Sequence, residues 1–165
     1  MNDHDLQNLS GLNKPYAVIV LLLSIVLPFT GWTLEHFIKG MPLDLSVFCK
    51  WFIFFAVGIR LFMAGIRQTL KPAFTAKEIF HIDQVEVEPI VRELGFANLC
   101  FGLIGIVSFF LPGWRIISAF ASGIYYGLAG IQHLVKKPVS ANEKLALWTD
   151  LFIFVILLIY FVRVS

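Results

Sequence analysis

Five runs of this chain, roughly 16–37, 45–66, 94–111, 114–135 and 145–162, are apolar over about the 18 residues needed to cross a hydrocarbon core. That feature narrows the fold more than any other. A segment in lipid must satisfy its backbone hydrogen bonds internally, and a run of this length does so as a helix. Composition agrees: 58% of residues are hydrophobic and 15% charged, against about 45–50% and about 25% in soluble domains. The expected fold is an all-α integral membrane protein, a compact bundle of about five transmembrane helices. The second run contains Lys50 and Arg60, and the fourth is only moderately apolar.

Breakers separate the runs. Pro42, Pro72, Pro89, Pro112–Gly113 and Pro138 all fall between them. Pro28 falls inside the first run and is expected to bend it. The link "LPGW" is so short that the third and fourth helices form an antiparallel hairpin. Residues 1–14 are polar and lack the positive start and cleavage site of a secretory signal. The first run therefore reads as a retained span. The domain reading is a polar N-terminus over 1–14 and one transmembrane domain over 15–165.

Counting basic residues near the span ends orients the bundle. Lys14, Arg67, Lys71, Lys77, Arg92, Lys136, Lys137 and Lys144 fall on one side, and Lys39, Lys50, Arg115 and Arg163 on the other. Eight against four places the N-terminus in the cytoplasm and the C-terminus on the exported side. Within the 67–93 loop, "FTAKEI" pairs Thr75 with Glu78 as a capping box and Phe74 with Ile79 as a hydrophobic staple. A short interfacial helix from about Ala76 to Asp83 is expected, resting on the membrane surface or packed on the bundle. "QVEVEP" reads as extended linker.

Charged groups inside a span are costly, which makes their depths informative. Arg60 lies about six residues, or about 9 Å, from the cytoplasmic end of its run, and Asp150 lies at nearly the same depth in the last. Glu93 stands at the mouth of the third run with Asn98 about 7 Å deeper. Gln132 and His133 close the fourth, with Tyr125 and Tyr126 below them. Arg60, Glu93, Asn98, Tyr126, His133 and Asp150 are thus the candidate lining of a polar pocket open to the cytoplasm, with Arg60 and Asp150 as an ion pair. The exported half offers less: Ser108, Ser118, and Glu35 with His36. Bundles also bury an ion pair or an Asn simply to hold helices together, and that reading stands beside the functional one.

Two small-residue stripes serve packing. Gly95, Asn98, Gly102 and Gly105 share one face of the third helix, and Ala119, Gly123 and Gly127 one face of the fourth. The short link is expected to bring these faces together, with Asn98 bonding across. Cys49 and Cys100 lie at different depths and suit no disulfide. No CxxC, metal-ligand cluster, phosphate loop or nucleophile elbow is present, and His36 and His133 sit at opposite ends, unsuited to a transmembrane haem. No metal or cofactor is expected, and no basic run exists to bind nucleic acid.

"RELGFANLCFGLIGIVSFF", "PGWR", "GIYYGLAGIQH" and "NEKLALWTDLF", over about Arg92–Phe152, resemble a family of small bacterial multi-pass membrane proteins catalogued as a domain of unknown function. More loosely, an acidic residue before glycine is similar to DoxX-like proteins, which carry a paired glycine where this chain has "ELGFAN". The closer resemblance implies a compact multi-span inner-membrane fold and no established activity. It singles out Glu93, Asn98, His133 and Asp150 as the motif's polar members.

Three functions fit these residues. The first is a pocket that binds a small amphiphile, lipid- or quinone-like, or passes a small solute or proton. The second is a membrane-embedded enzyme using Glu93 or Asp150 with His133 as acid and base. The third is an accessory or assembly subunit, docking on a membrane-protein partner or on further copies of itself.

Overall fold

The computed structural model describes residues 12–78, 82–138 and 140–165. It contains five long helices and one short one, with no strand among the described residues. They are α1 (Lys14–Lys39), α2 (Leu45–Leu70), α3 (Pro72–Glu78), α4 (Glu88–Phe110), α5 (Trp114–Lys136) and α6 (Ala141–Val164). A single 3₁₀ turn, Val85–Val87, leads into α4 where the sequence suggested extended linker. The N-terminal residues 1–11 lie outside the described residues.

Four helices, α1, α2, α4 with its leading turn, and α6, are long and apolar enough to cross a membrane. The fifth, α5, matches them in length with 23 residues but trades apolar side chains for Ser118, Ser122, three glycines and two tyrosines. Its short links to α4 and α6 make it run antiparallel to both. It therefore runs back alongside them over a comparable length. The end of the bundle that holds the start of α1 is termed the near end, and its opposite the far end.

The helix boundaries follow local chemistry. Asn13 caps α1 by accepting from the Tyr16 N–H at 3.1 Å, and Asp44 caps α2 by accepting from the Val47 N–H at 2.8 Å. Ser140 and Glu143 form a reciprocal capping box at the start of α6. Asn142 then accepts from the Asn13 N–H at 2.9 Å and ties the first and last helices together at the near end. Gly40 ends α1 with a φ of 65°, a conformation that costs glycine little.

All five long helices outrun their apolar windows. Because α2 continues to Leu70 and α6 starts at Ala141, Arg60 and Asp150 each lie about 4 Å on the near side of their helix midpoints. Both residues thus stand closer to the middle of their helices than the apolar runs alone suggested. Two helices also widen. In α1 the turn Leu22–Val26 is π-helical, one turn before Pro28, whose missing N–H and bulky ring disrupt the regular ladder. What the structure gives beside Pro28 is this widened turn. In α2 the π-helical stretch is Ile53–Ile59, directly before Arg60.

The short helix in the loop is present but begins at Pro72, a residue suited to the first helical turn, and not after Thr75. Thr75 and Ala76 are buried and the Arg67 guanidinium lies over the Phe74 ring at 4.7 Å, so this helix packs on the bundle. Ile79 and Phe80 lie outside the described residues.

The glycine faces correct the expected packing. A Cβ on Gly102 would meet Phe62 backbone at 2.5 Å, one on Gly105 would meet Gly58 at 2.7 Å, and one on Gly95 would meet Thr69 at 2.8 Å. The α4 stripe thus lies against α2, which brings Gly58 and Gly65 of its own. The α5 stripe lies against α6, where Gly127 faces Phe154, Gly130 faces Leu151 and Gly123 faces Leu157. The hairpin connection sets proximity, but the closest backbone approach goes to the helix with matching small residues. The α4–α5 seam is filled instead by larger groups such as Phe101 on Tyr125, with ring centroids 5.1 Å apart. Ala119 is buried in the central cluster with Cys49, Phe52, Ile53, Ala56, Val57, Tyr126, Ile153 and Leu157.

Candidate functional site

Arg60 is the hub of the buried polar groups. It follows the π-helical stretch of α2, and its own N–H bonds the carbonyls of Phe55 and Val57, bypassing the Ala56 carbonyl that a regular α-helix would use. The Tyr126 hydroxyl of α5 donates to that bypassed Ala56 carbonyl at 2.9 Å. The widened turn therefore does two things: it re-aims Arg60 and it supplies a backbone acceptor in the core.

The Arg60 guanidinium reaches three helices. Its Nη2 donates to Asp150 Oδ1 at 3.0 Å and to Thr149 Oγ1 at 3.0 Å, both on α6. Its Nη1 donates to Ser24 Oγ at 3.4 Å, inside the π-helical turn of α1. Its face lies 5.3 Å from the Tyr126 ring centroid, a cation–π contact. Tyr16 also lies beside the guanidinium. Asp150 is 6% exposed, so each charge depends on the other for compensation.

The other carboxylate oxygen points elsewhere. Asp150 Oδ2 lies 3.9 Å from His133 Nε2. His133 stands in the last turn of α5, partly exposed at the near rim. Helix side chains lean toward their own N-terminus. His133 therefore leans inward from the rim while Asp150, on an antiparallel helix, leans outward to meet it. The two oxygens of one carboxylate are divided between a fixed cation and a group open to the aqueous edge.

The structure thus joins Arg60, Tyr126, His133 and Asp150, four of the six residues singled out in the sequence. Asn98 is 3% exposed but lies at the α2–α4 seam, where its Nδ2 donates to Gln68 Oε1 at 2.6 Å. Its hydrogen bond is thus to α2, while the hairpin partner α5 comes alongside the same amide. Tyr125 lies beside the Asn98 amide. Glu93 is exposed and makes no hydrogen bond or ion pair among the described residues. It precedes Gly95 by two residues, about 200° around the helix, which turns it away from the buried glycine face.

A second polar cluster occupies the far end. Glu35 of α1 accepts from Lys50 Nζ and, at 2.7 Å, from Trp51 Nε1 of α2, while Lys39 stands 3.7 Å away. Lys50 also lies 5.2 Å from the Trp51 ring and 5.4 Å from that of Phe109. Gly31 lets the Trp51 ring lie flat on α1, since a Cβ there would meet the indole at 2.5 Å. In the sequence Glu35 and Lys50 stand apart as two isolated charges. Their equal distance from the α1–α2 turn was the signal that pairs them.

Among the described residues no three His, Cys, Asp or Glu side chains converge on a metal position. Cys49 is buried and Cys100 exposed, both as free thiols.

A bundle of long apolar helices closed around an arginine–carboxylate pair defines a multi-span membrane protein with an ionisable centre. More particularly, the chain belongs to a family of unknown function, DUF6790, whose family model matches residues 14–165. No curated protein matches it, and no solved structure does.

Proposed function

We propose that this protein lies in a bacterial inner membrane with its N-terminus in the cytoplasm, and that its Arg60–Asp150 centre takes up and releases a proton through His133. It thereby passes a proton, or a small solute coupled to one. The observation that carries this reading is the division of the Asp150 carboxylate, with Oδ1 on Arg60 at 3.0 Å and Oδ2 facing His133 at 3.9 Å. Imidazole can hold a proton on either ring nitrogen and hand it on. Arginine stays charged throughout. When a proton reaches Asp150, Arg60 is left without its counter-charge near mid-membrane. The bundle must then rearrange or admit another anion, and a small amphiphile with an acidic head is the ligand class that suits this place.

The chain reconstituted into phosphatidylcholine–phosphatidylglycerol vesicles should collapse an imposed pH gradient faster than empty vesicles. Asp150→Asn and Arg60→Ala should abolish that flux, and His133→Leu should slow it, while all three still purify as folded protein. If both centre variants fail to accumulate in the membrane while paired apolar replacements restore folding and flux, the pair is structural and this reading falls.

A further inference from the structure

The far half of the bundle contains two hydroxyls that the packing leaves bare. Ser118 and Ser122 of α5 are both 0% exposed, and neither Oγ has a hydrogen-bond partner in the protein. Ser108, Thr149 and Thr30 instead bond a carbonyl about one turn back, to Gly105 at 2.7 Å, Leu145 at 2.8 Å and Val26 at 2.8 Å, while in the near half Thr69 shares the bare state. In a lipid-embedded core a bare hydroxyl is costly, and water is the usual remedy where polar groups are spaced to hold it.

The spacing suits water. Ser118 and Ser122 stand four residues apart, about 6 Å along the axis, or two hydrogen bonds of about 2.8 Å with one water between, and Tyr126 follows four residues on. Together with His133 they fall within a sector of about 80° around α5. This sector lies beside the glycine face that packs on α6, and Tyr126 shows that it turns toward α2. Because the Tyr126 hydroxyl donates to Ala56, its oxygen lone pairs are available to a water from the Ser122 side. Beyond Tyr126 come Arg60, Asp150 and His133. From Ser118 to His133 the rise is about 22 Å, most of a hydrocarbon core of about 30 Å.

We propose that Ser118, Ser122 and Tyr126 hold a file of water molecules along the α2-facing side of α5, and that protons cross the far half of the bundle along it to Asp150. This rests on the proton-exchange reading of Asp150 and extends it from the near rim to the opposite side. Each transfer forms one O–H bond as the neighbouring one breaks, so nothing is consumed and the proton gradient alone drives the movement.

Two measurements test it. In solid-state NMR of the full chain in bilayers, magnetisation from water should reach the Cβ of Ser118 and Ser122 quickly. It should reach Ser108 slowly, since that side chain is equally buried but already bonded. Slow transfer to all three overturns the file. In the vesicle assay, Ser118→Ala combined with Ser122→Val should cut proton flux by about tenfold or more, because a proton does not cross a gap without hydrogen-bond partners. Ser122→Thr, which keeps the hydroxyl, should retain flux. If Asp150→Asn stops the flux while the serine double variant matches wild type, the file is wrong and the proton-exchange reading survives. If wild-type vesicles conduct no faster than empty ones, both fall.

Discussion

Glu35 and Asp150 show two ways in which a carboxylate is kept inside an apolar bundle. Asp150, near the middle of its helix, relies on one arginine and shares its second oxygen with a histidine. Glu35, close to a helix end, is held from several sides by Lys50, Lys39 and the Trp51 indole. The far cluster is therefore a clamp between α1 and α2. Glu35→Ala leaves Lys50 without its counter-charge and should lower stability by about 2 kcal/mol. Adding Lys50→Met should recover most of that loss, read as the detergent-solubilised melting temperature. No recovery in the double variant would mean that Glu35 acts through something other than Lys50. At this scale the Arg60–Asp150 pair was legible because a polar residue in an apolar run is conspicuous and depth can be counted. Gln68 was missed as the partner of Asn98 because it lies past the end of its apolar run, where a polar residue draws no notice. Ser118, Tyr126 and His133 were singled out in the sequence, and Ser122 was not. Their common sector appears only when the angles are summed along one helix.

Between elements, glycine decides which helices touch. The α2–α4 seam has Gly58 and Gly65 on one side and Gly95, Gly102 and Gly105 on the other, each close to backbone or Cβ atoms of the partner helix. A side chain cannot be accommodated there by rotamer changes alone. Gly102→Leu should force the helices apart and cost on the order of 3 kcal/mol, seen as a lower melting temperature and reduced accumulation. Gly123→Ala, whose added methyl would meet only Leu157 at 3.5 Å, should be nearly neutral in the same assay. Equal effects at the two positions would contradict this packing. The sequence showed both small-residue faces but paired them with each other, because chain connectivity was the only guide to neighbours. The π-helical turns were not legible at all. They depend on which carbonyl each N–H selects, and in α2 that choice is tied to the Tyr126 hydroxyl arriving from another helix.

For the whole molecule, the number of spans turns on whether α5 crosses, since it is the long helix that is not apolar enough on composition alone. Its polarity has a structural cause. Ser118, Ser122, Tyr126 and the three glycines are buried and Tyr125 packs on Phe101 of α4, while Ile117, Phe120, Ile124, Leu128 and Ile131 are among the exposed residues. A helix that turns its polar side inward needs less overall hydropathy to sit in lipid, because only its outer face meets the acyl chains. If α5 crosses, Gly40, Gly113 and the C-terminus share one side, and Lys71 and Lys137 share the other. With Cys49→Ser and Cys100→Ser as background, single cysteines at positions 40, 71, 113 and 137 can be labelled from outside sealed vesicles with a membrane-impermeant maleimide. Positions 40 and 113 should label together, and 71 and 137 together from the opposite side. Labelling of 113 and 137 from the same side would mean that α5 turns back within the bilayer. The serine file would then lose its second aqueous opening, and the Arg60–Asp150 centre would be a pocket with one mouth.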